Sequence, residues 1–321
     1  MIRSLTRLAA GLALATAAAT AAAQTYPDKP VRVVVPYPAG QGTDVATRYV
    51  AEQVSKALGQ NMVVENRPGA AGNIGTQHVA RAPADGYTLL MGTNGTHAAA
   101  PFLYKDLGFD PIADFEPIAL IGLLPMAIVT APNNPVNGID GLVAAARAKP
   151  DAINVAFTTT TSRATLELFK QQAKAPLFGV AYKGSAQAIG DLVGGQVEYM
   201  ADTIASLRTM VTGGKLKAIA VTTVTAGELL PGVRSVAEQG IPGFEITGWN
   251  VLYAPKGTPP EVLKRLAAEV EKVMALPETR QKLLQLGIEP KTATGAELDR
   301  FVRAERDKWG GVIRSANIRV E

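Results

Sequence analysis

Short apolar, β-branched runs alternate with amphipathic stretches along most of this 321-residue chain, and that alternation limits the fold more than any other feature. Val31-Arg32-Val33-Val34-Val35 reads as a buried strand. A Pro- and Gly-rich turn follows from Pro36 to Gly42, and Thr43-Asp44 opens a stretch with Val50, Val54 and Leu58 on one face at helical spacing. Gly59 stands where a helix C-terminal cap belongs. Met62 to Val64 and Tyr87 to Met91 read as the next strands, with a helix from Asn73 to Arg81 between them. Strands are expected again at Ile128-Val129, Ile153 to Phe157, Val180-Ala181, Val197 to Met200, Leu216 to Thr222 and Val251 to Tyr253. Helices at Leu142 to Ala148, Leu166 to Ala173 and Ala186 to Val193 fall between them, and three more close the chain. Repeated strand–helix–strand units imply parallel sheets with helices on both faces.

The N-terminus bears on compartment. Arg3 and Arg7 precede an apolar, Ala-rich run from Leu8 to Ala22 that ends in Ala21-Ala22-Ala23. A basic start, a short apolar stretch and small residues at its end form the pattern of a cleaved secretory signal over 1–23. The run is too short and too Ala-rich for a membrane span, which needs ~20 strongly apolar residues. A mature protein starting near Gln24 is therefore expected in the periplasm, and its length suits two domains. The chain has no cysteine and only two histidines, His78 and His97, so a thiolate nucleophile and a Cys-ligated metal are excluded and a zinc site has little to draw on. A formal charge of +4, scattered among acids, does not suit nucleic-acid binding.

Four strand-to-helix exits carry candidate chemistry. The first is Pro36-Tyr37-Pro38-Ala39-Gly40-Gln41-Gly42-Thr43-Asp44. Glycines there allow close backbone approach, and free N–H groups at a helix start suit an anion without any Lys or Arg. The segment lacks the G-K-[ST] ending of a phosphate loop, and Val45 stands where a dinucleotide fingerprint needs its last glycine. Its plainer reading is a tight turn with Thr43 or Asp44 as the helix cap. The second exit holds Asn94 and Thr96, the third runs through Thr158, Thr159, Thr160, Thr161 and Ser162 to Arg163, and the fourth is Tyr182-Lys183-Gly184-Ser185. Open α/β sheets place ligands at such carboxyl ends of strands. A solvated, capped loop explains the threonine run equally well.

With these residues placed, the chain resembles the Bug family, the extracytoplasmic solute receptors of tripartite tricarboxylate transport systems. The stretches that carry the resemblance include YPDKPVRVVVPYPAG, ENRPGAAGNIGT, DGYTLLMGTNGTH and WNVLYAPKGTPPEVLKRL. The resemblance implies a two-lobed periplasmic-binding-protein (Venus-flytrap) α/β fold with a hinge between lobes. Lobe one would take 24–122 plus 248–321 and lobe two 123–247. It also implies that Ala39 to Thr43 grip a ligand carboxylate through backbone groups, with bridging waters. The opposing contacts would come from Thr158 to Ser162 and from Asp202 and Thr203. Two departures stand out: Gln41 separates Gly40 from Gly42 where the family has adjacent glycines, and Arg163 takes a position the family usually gives to His. An Arg can hold a second carboxylate bidentately, or it can simply sit on the surface of a helix start.

The expected function is reception of a small organic anion, a mono- or dicarboxylate, by a monomer that passes it to membrane transporter subunits. No cofactor and no catalysis are expected. Two rivals stand beside it: a secreted hydrolase that uses His97, and a sensor subunit that reports the ligand to a membrane kinase. There is no G-x-S-x-G elbow and no H-E-x-x-H motif.

Overall fold

The computed structural model describes residues 26–225 and 227–318. The expected signal segment, 1–23, lies outside them. The elements begin with β1 (Val31–Val35), α1 (Gly42–Leu58), β2 (Met62–Asn66), α2 (Asn73–Ala80) and β3 (Thr88–Thr93). A wide turn at Asn94–Ala99 and the short α3 (Ala100–Leu103) lead to β4 (Phe115–Thr130). Then come α4 (Ile139–Ala148), β5 (Asn154–Phe157), α5 (Thr160–Ala173), β6 (Phe178–Ala181), α6 (Ser185–Val193), β7 (Tyr199–Thr203), α7 (Ile204–Thr212) and β8 (Lys217–Val221). The chain closes with β9 (Thr247–Pro255), α8 (Pro260–Ala275), α9 (Pro277–Gln285) and α10 (Gly295–Ser315).

The fold is the two-lobed α/β architecture expected, built on one curled sheet in the order β2-β1-β3-β9-β4-β7-β5-β6, with β8 also on β4. Parallel pairing joins β1 to β2 and β3, and β5 to β6 and β7. The sheet is mixed, however, and not parallel throughout. β9 runs antiparallel to β3 and β4, and β4 runs antiparallel to β7 and β8. The strand read at Ile128-Val129 is the end of a 16-residue strand. Its first part, through Pro125, pairs with β9, and from Met126 its partners become β7 and β8. Pro117, Gly122 and Pro125 hide its continuity from a sequence reading, because Pro removes a ladder donor and Gly weakens a strand. The pairing does slip near Pro117 and Gly122. At Gly122, φ is +148° and a Cβ would stand 2.8 Å from Ile288 Cγ2, so the glycine admits the chain leading to α10.

Packing fixes this frame. One apolar cluster gathers Val33, Val50, Val54, Leu89, Ile121 and Leu252 with Leu266 and Val270 of α8. Another continues through both lobes and includes Trp249 and Trp309, each almost wholly buried. Both indole N–H groups donate to Glu305 Oε2, Trp249 at 3.0 Å and Trp309 at 3.2 Å, which pins α10 to β9.

The first strand-to-helix turn is capped differently from either sequence expectation. The N-cap of α1 is Gln41, without a side-chain capping bond, while Gly59 at the other end has φ 71° and caps as read. Asp44 lies in the first turn and reaches back. Its buried carboxylate accepts from the Gly40 N–H at 2.9 Å, from Arg48 Nε at 3.0 Å and from Asn66 Nδ2 at 2.8 Å. Asp44→Ala therefore removes an anchor that holds the loop, the helix and β2 together. Hydrogen bonds to a charged group contribute roughly 1.5–3 kcal/mol, so denaturant unfolding should show a loss of about 2 kcal/mol. An unchanged midpoint would show that water replaces the carboxylate at no cost.

Candidate functional site: a cavity between the strand-to-helix loops

The exits from β1, β5 and β6 converge on one cavity of about 510 Å³, within the size range of small-molecule sites. Tyr37 and Gln41 reach it from the first loop, Thr159, Thr160 and Arg163 from the third, and Tyr182 from the fourth. Ala39, Gly40, Gly42, Thr43, Asn94, Thr96, Thr161, Ser162, Asp202 and Thr203 do not line it.

The residues that stay off the wall support it. Ser162, behind the wall, forms a reciprocal capping box at the start of α5 with Thr159, which is on it. Asn94 Nδ2 donates to Thr161 Oγ1 at 2.7 Å and Asn94 Oδ1 accepts from the Trp249 N–H at 3.3 Å, so one side chain joins β3, α5 and β9. Thr43 Oγ1 donates to Asn250 Oδ1 at 3.1 Å. Thr96 shares hydrogen bonds with Thr93 and His97. Asp202 is buried and accepts from Ser185 Oγ at 2.7 Å, Thr158 Oγ1 at 2.9 Å and the Thr203 N–H at 2.6 Å. Burial pushes its carboxyl above the ordinary value, and those donors oppose the rise. Asp202 thus ties three loops at the cavity floor. Where the loops of the two lobes meet, the Gly42 N–H donates to Ser206 Oγ at 3.0 Å. A Cβ on Gly42 would fall 2.4 Å from Thr203 Oγ1 and 2.8 Å from Leu124 Cδ2. Glycine at 42 is what lets the first loop and α7 come so close. Gly40, at φ +82°, has open space around its Cα.

Thr158 and Lys183, read from sequence as part of the third and fourth exits, also face the cavity. Other wall residues escaped the sequence reading as site candidates: Pro68 to Gly72, Leu103, Tyr104, Phe157 and Ile318. The segment Gly69 to Gly72 has positive φ throughout, including 46° at Ala70 and 54° at Ala71. Non-glycine residues in that region are uncommon and gather at ligand clamps. The only trace in the sequence was the ENRPGAAGNIGT stretch.

The electrostatics favour an anion. Arg163 and Lys183 contribute the wall's cations, and no acidic side chain lines the cavity among the described residues. The Arg163 guanidinium lies 5.9 Å from the Phe157 ring centroid, and neither cation has a carboxylate partner among the described residues. The Gln41 side chain is 3% exposed, and its amide oxygen and nitrogen have no hydrogen-bond partner in the protein. Tyr37 is pushed up to about 12 by burial, against a hydrogen bond to Thr93. Among the described residues no cluster of His, Asp and Glu could hold a metal, and no helix is long and apolar enough to cross a membrane.

His97 lies off the cavity wall. It is buried, stacked on Tyr253 at 4.1 Å between ring centroids, and its Nδ1 sits 2.9 Å from Thr96 Oγ1. Burial drives its pKa down to about 3.

Two α/β lobes on a shared strand, with loops converging on an anion-favouring cavity, define a solute-binding receptor of the periplasmic-binding-protein class. The sequence matches the tripartite tricarboxylate transporter family receptor over residues 46–318, and the chain belongs to that family. It is similar to Protein BugT of Bordetella pertussis, 33% identical over 99% of this chain and 100% of that protein. Among solved structures, "R. palustris Rpa4515 with adipate" superposes with a TM-score of 0.89 at 33% identity, covering 92% of this chain and 100% of that one. The periplasmic binding protein BugD gives 0.86 at 35% identity, with 92% and 100% covered. The family is described as a receptor family, and BugD as a periplasmic binding protein.

The burial of His97 has a titration consequence. A histidine whose folded pKa is depressed contributes stability above its unfolded value near 6.5, and that stability is lost as the pH falls toward about 3. With only two histidines in the chain, NMR can follow each ring. The His97 resonances should stay unchanged down to pH 5 while those of His78 move. A His97 titration near pH 6.5 would contradict the buried, neutral ring.

Proposed function

We propose that this protein is a periplasmic receptor that binds a small organic carboxylate in the cavity between its lobes and delivers it to the membrane subunits of a tripartite tricarboxylate-type transporter. The observation that carries the reading is the pair of cations, Arg163 and Lys183, on a wall with no acid among the described residues to neutralise them. An enclosed site of one sign concentrates counter-ions and leaves them fewer competing partners. The adipate in the Rpa4515 structure supports a carboxylate, and the likeness to BugD, a periplasmic binding protein, supports the periplasm.

In this reading the receptor is a monomer, with lobe one at 24–122 plus 248–321 and lobe two at 123–247. Leu123 to Pro125 and Thr247 to Trp249, which pair directly across β4 and β9, serve as the hinge. Binding closes the lobes, and the contacts of Gly42 with Ser206 and of Asn94 with Thr161 belong to the closed form. Gln41 and the Tyr37 side contact the ligand from lobe one, while Thr160 and Arg163 contact it from lobe two. The N–H groups of Gly40 and Gly42 serve Asp44 and Ser206 rather than a ligand. The hydrolase rival loses its base, because His97 is buried, neutral and away from the cavity.

Arg163 decides how many carboxylates the site needs. Its guanidinium is free to take the second carboxylate of a dianion. Arg163→Ala should weaken a dicarboxylate by about ten- to a hundred-fold, and its monocarboxylate analogue by much less. Calorimetric titration of both ligands measures this, with a melting curve to verify folding. Equal losses for the two would leave Arg163 as a packing residue beside Phe157.

A further inference from the structure

The cavity wall also specifies what lies between the carboxylates. Four aromatic residues line it: Tyr37 and Tyr104 ahead of β4, and Phe157 and Tyr182 beyond it. Their polar ends are largely spent elsewhere. The Tyr37 hydroxyl is 2.9 Å from Thr93 Oγ1, and the Tyr182 hydroxyl donates to Asp191 Oδ2 at 2.9 Å. Two wall threonines are committed in the same way, Thr158 Oγ1 to Asp202 and Thr159 Oγ1 to Ser162. A ligand hydroxyl entering here gives up water and finds few free partners, so it weakens binding by roughly ten-fold or more for each group left unsatisfied. A flat apolar body instead meets aromatic side chains that come from both halves of the chain. Among the described residues, the neutral polar groups on offer are the unpartnered amide of Gln41, which is buried in the wall, and the hydroxyls of Tyr104 and Thr160.

We infer that the ligand is an aromatic carboxylate, its ring lodged among Tyr37, Tyr104, Phe157 and Tyr182 and its charge at Arg163 and Lys183. The inference rests on the carboxylate reading above and narrows it to one class. Hydroxylated di- and tricarboxylates match the cations but leave the aromatic side chains of the wall without an apolar partner. Flexible aliphatic dicarboxylates match the apolar surface but gain no ring stacking, which contributes roughly five- to ten-fold in affinity for one good aromatic pair.

The test compares three dianions, benzene-1,3-dicarboxylate, adipate and malate, by calorimetric titration of wild type and of Tyr104→Leu. Tyr104 is half-buried and outside the core clusters, so its loss leaves folding intact. The aromatic dianion should bind at least ten-fold more tightly than malate and more tightly than adipate. Tyr104→Leu should cut its affinity about five- to ten-fold and that of malate by distinctly less. Malate binding as well as the aromatic acid overturns the inference and keeps the carboxylate receptor. Adipate equal to the aromatic acid, or an unaffected Tyr104→Leu, removes the ring preference in the same way. Failure of all three to bind overturns the carboxylate reading itself.

Discussion

The antiparallel pairing of β4 with β9 is the constraint on which the rest of the molecule depends. The chain leaves its first lobe along Phe115–Thr130 and returns along Thr247–Pro255, and everything between is assembled on the far half of the outgoing strand. β4 and β9 share hydrogen bonds through Pro125 and Thr247, so both crossings lie side by side. Because the crossings are adjacent, they supply the single axis on which the proposed closure of the lobes depends. Glu305, accepting from both tryptophan indoles, fastens the last helix to that axis.

The cavity follows from this arrangement. β1 lies in one parallel set and β5 and β6 in the other, so their carboxyl ends present loops to the same space. Each loop is stiffened by polar groups that point away from the ligand: Asp44 behind the first, Asn94 behind the second, Ser162 and Asp202 behind the third and fourth. Many of the hydroxyls that make these loops look like ligand donors in the sequence are structural ones. What the wall leaves for the proposed ligand is a short set of groups: two cations, one unpartnered amide, the hydroxyls of Tyr104 and Thr160, aromatic side chains and a left-handed loop at Gly69 to Gly72.

How far the sequence showed this can be judged residue by residue. The alternation of strands and helices was legible because apolar period and cap residues are local signals, and the exits from β1, β5 and β6 that the sequence singled out do meet at one cavity. The continuity of β4 was not, since Pro117, Gly122 and Pro125 look like breaks and only the partner strands override them. Tyr104, Ile318 and Pro68 to Gly72 were missed because they come to the cavity through tertiary packing and carry no motif of their own. The positive φ at Ala70 and Ala71 leaves no mark in residue type. Asp202 and Thr203 belong beneath the site and not on its wall, a distinction that depends on side-chain direction and so lies outside any linear pattern.

The central claim is that an ionised carboxylate, and not merely a molecule of suitable shape, is what the cavity recognises. The most direct measurement is a pair of calorimetric titrations with one carboxylic acid and its primary amide, which differ in charge and hardly at all in size. Two unopposed cations predict stoichiometric binding of the acid at neutral pH and a loss of roughly a hundred-fold or more for the amide. Equal affinity for acid and amide would contradict the account.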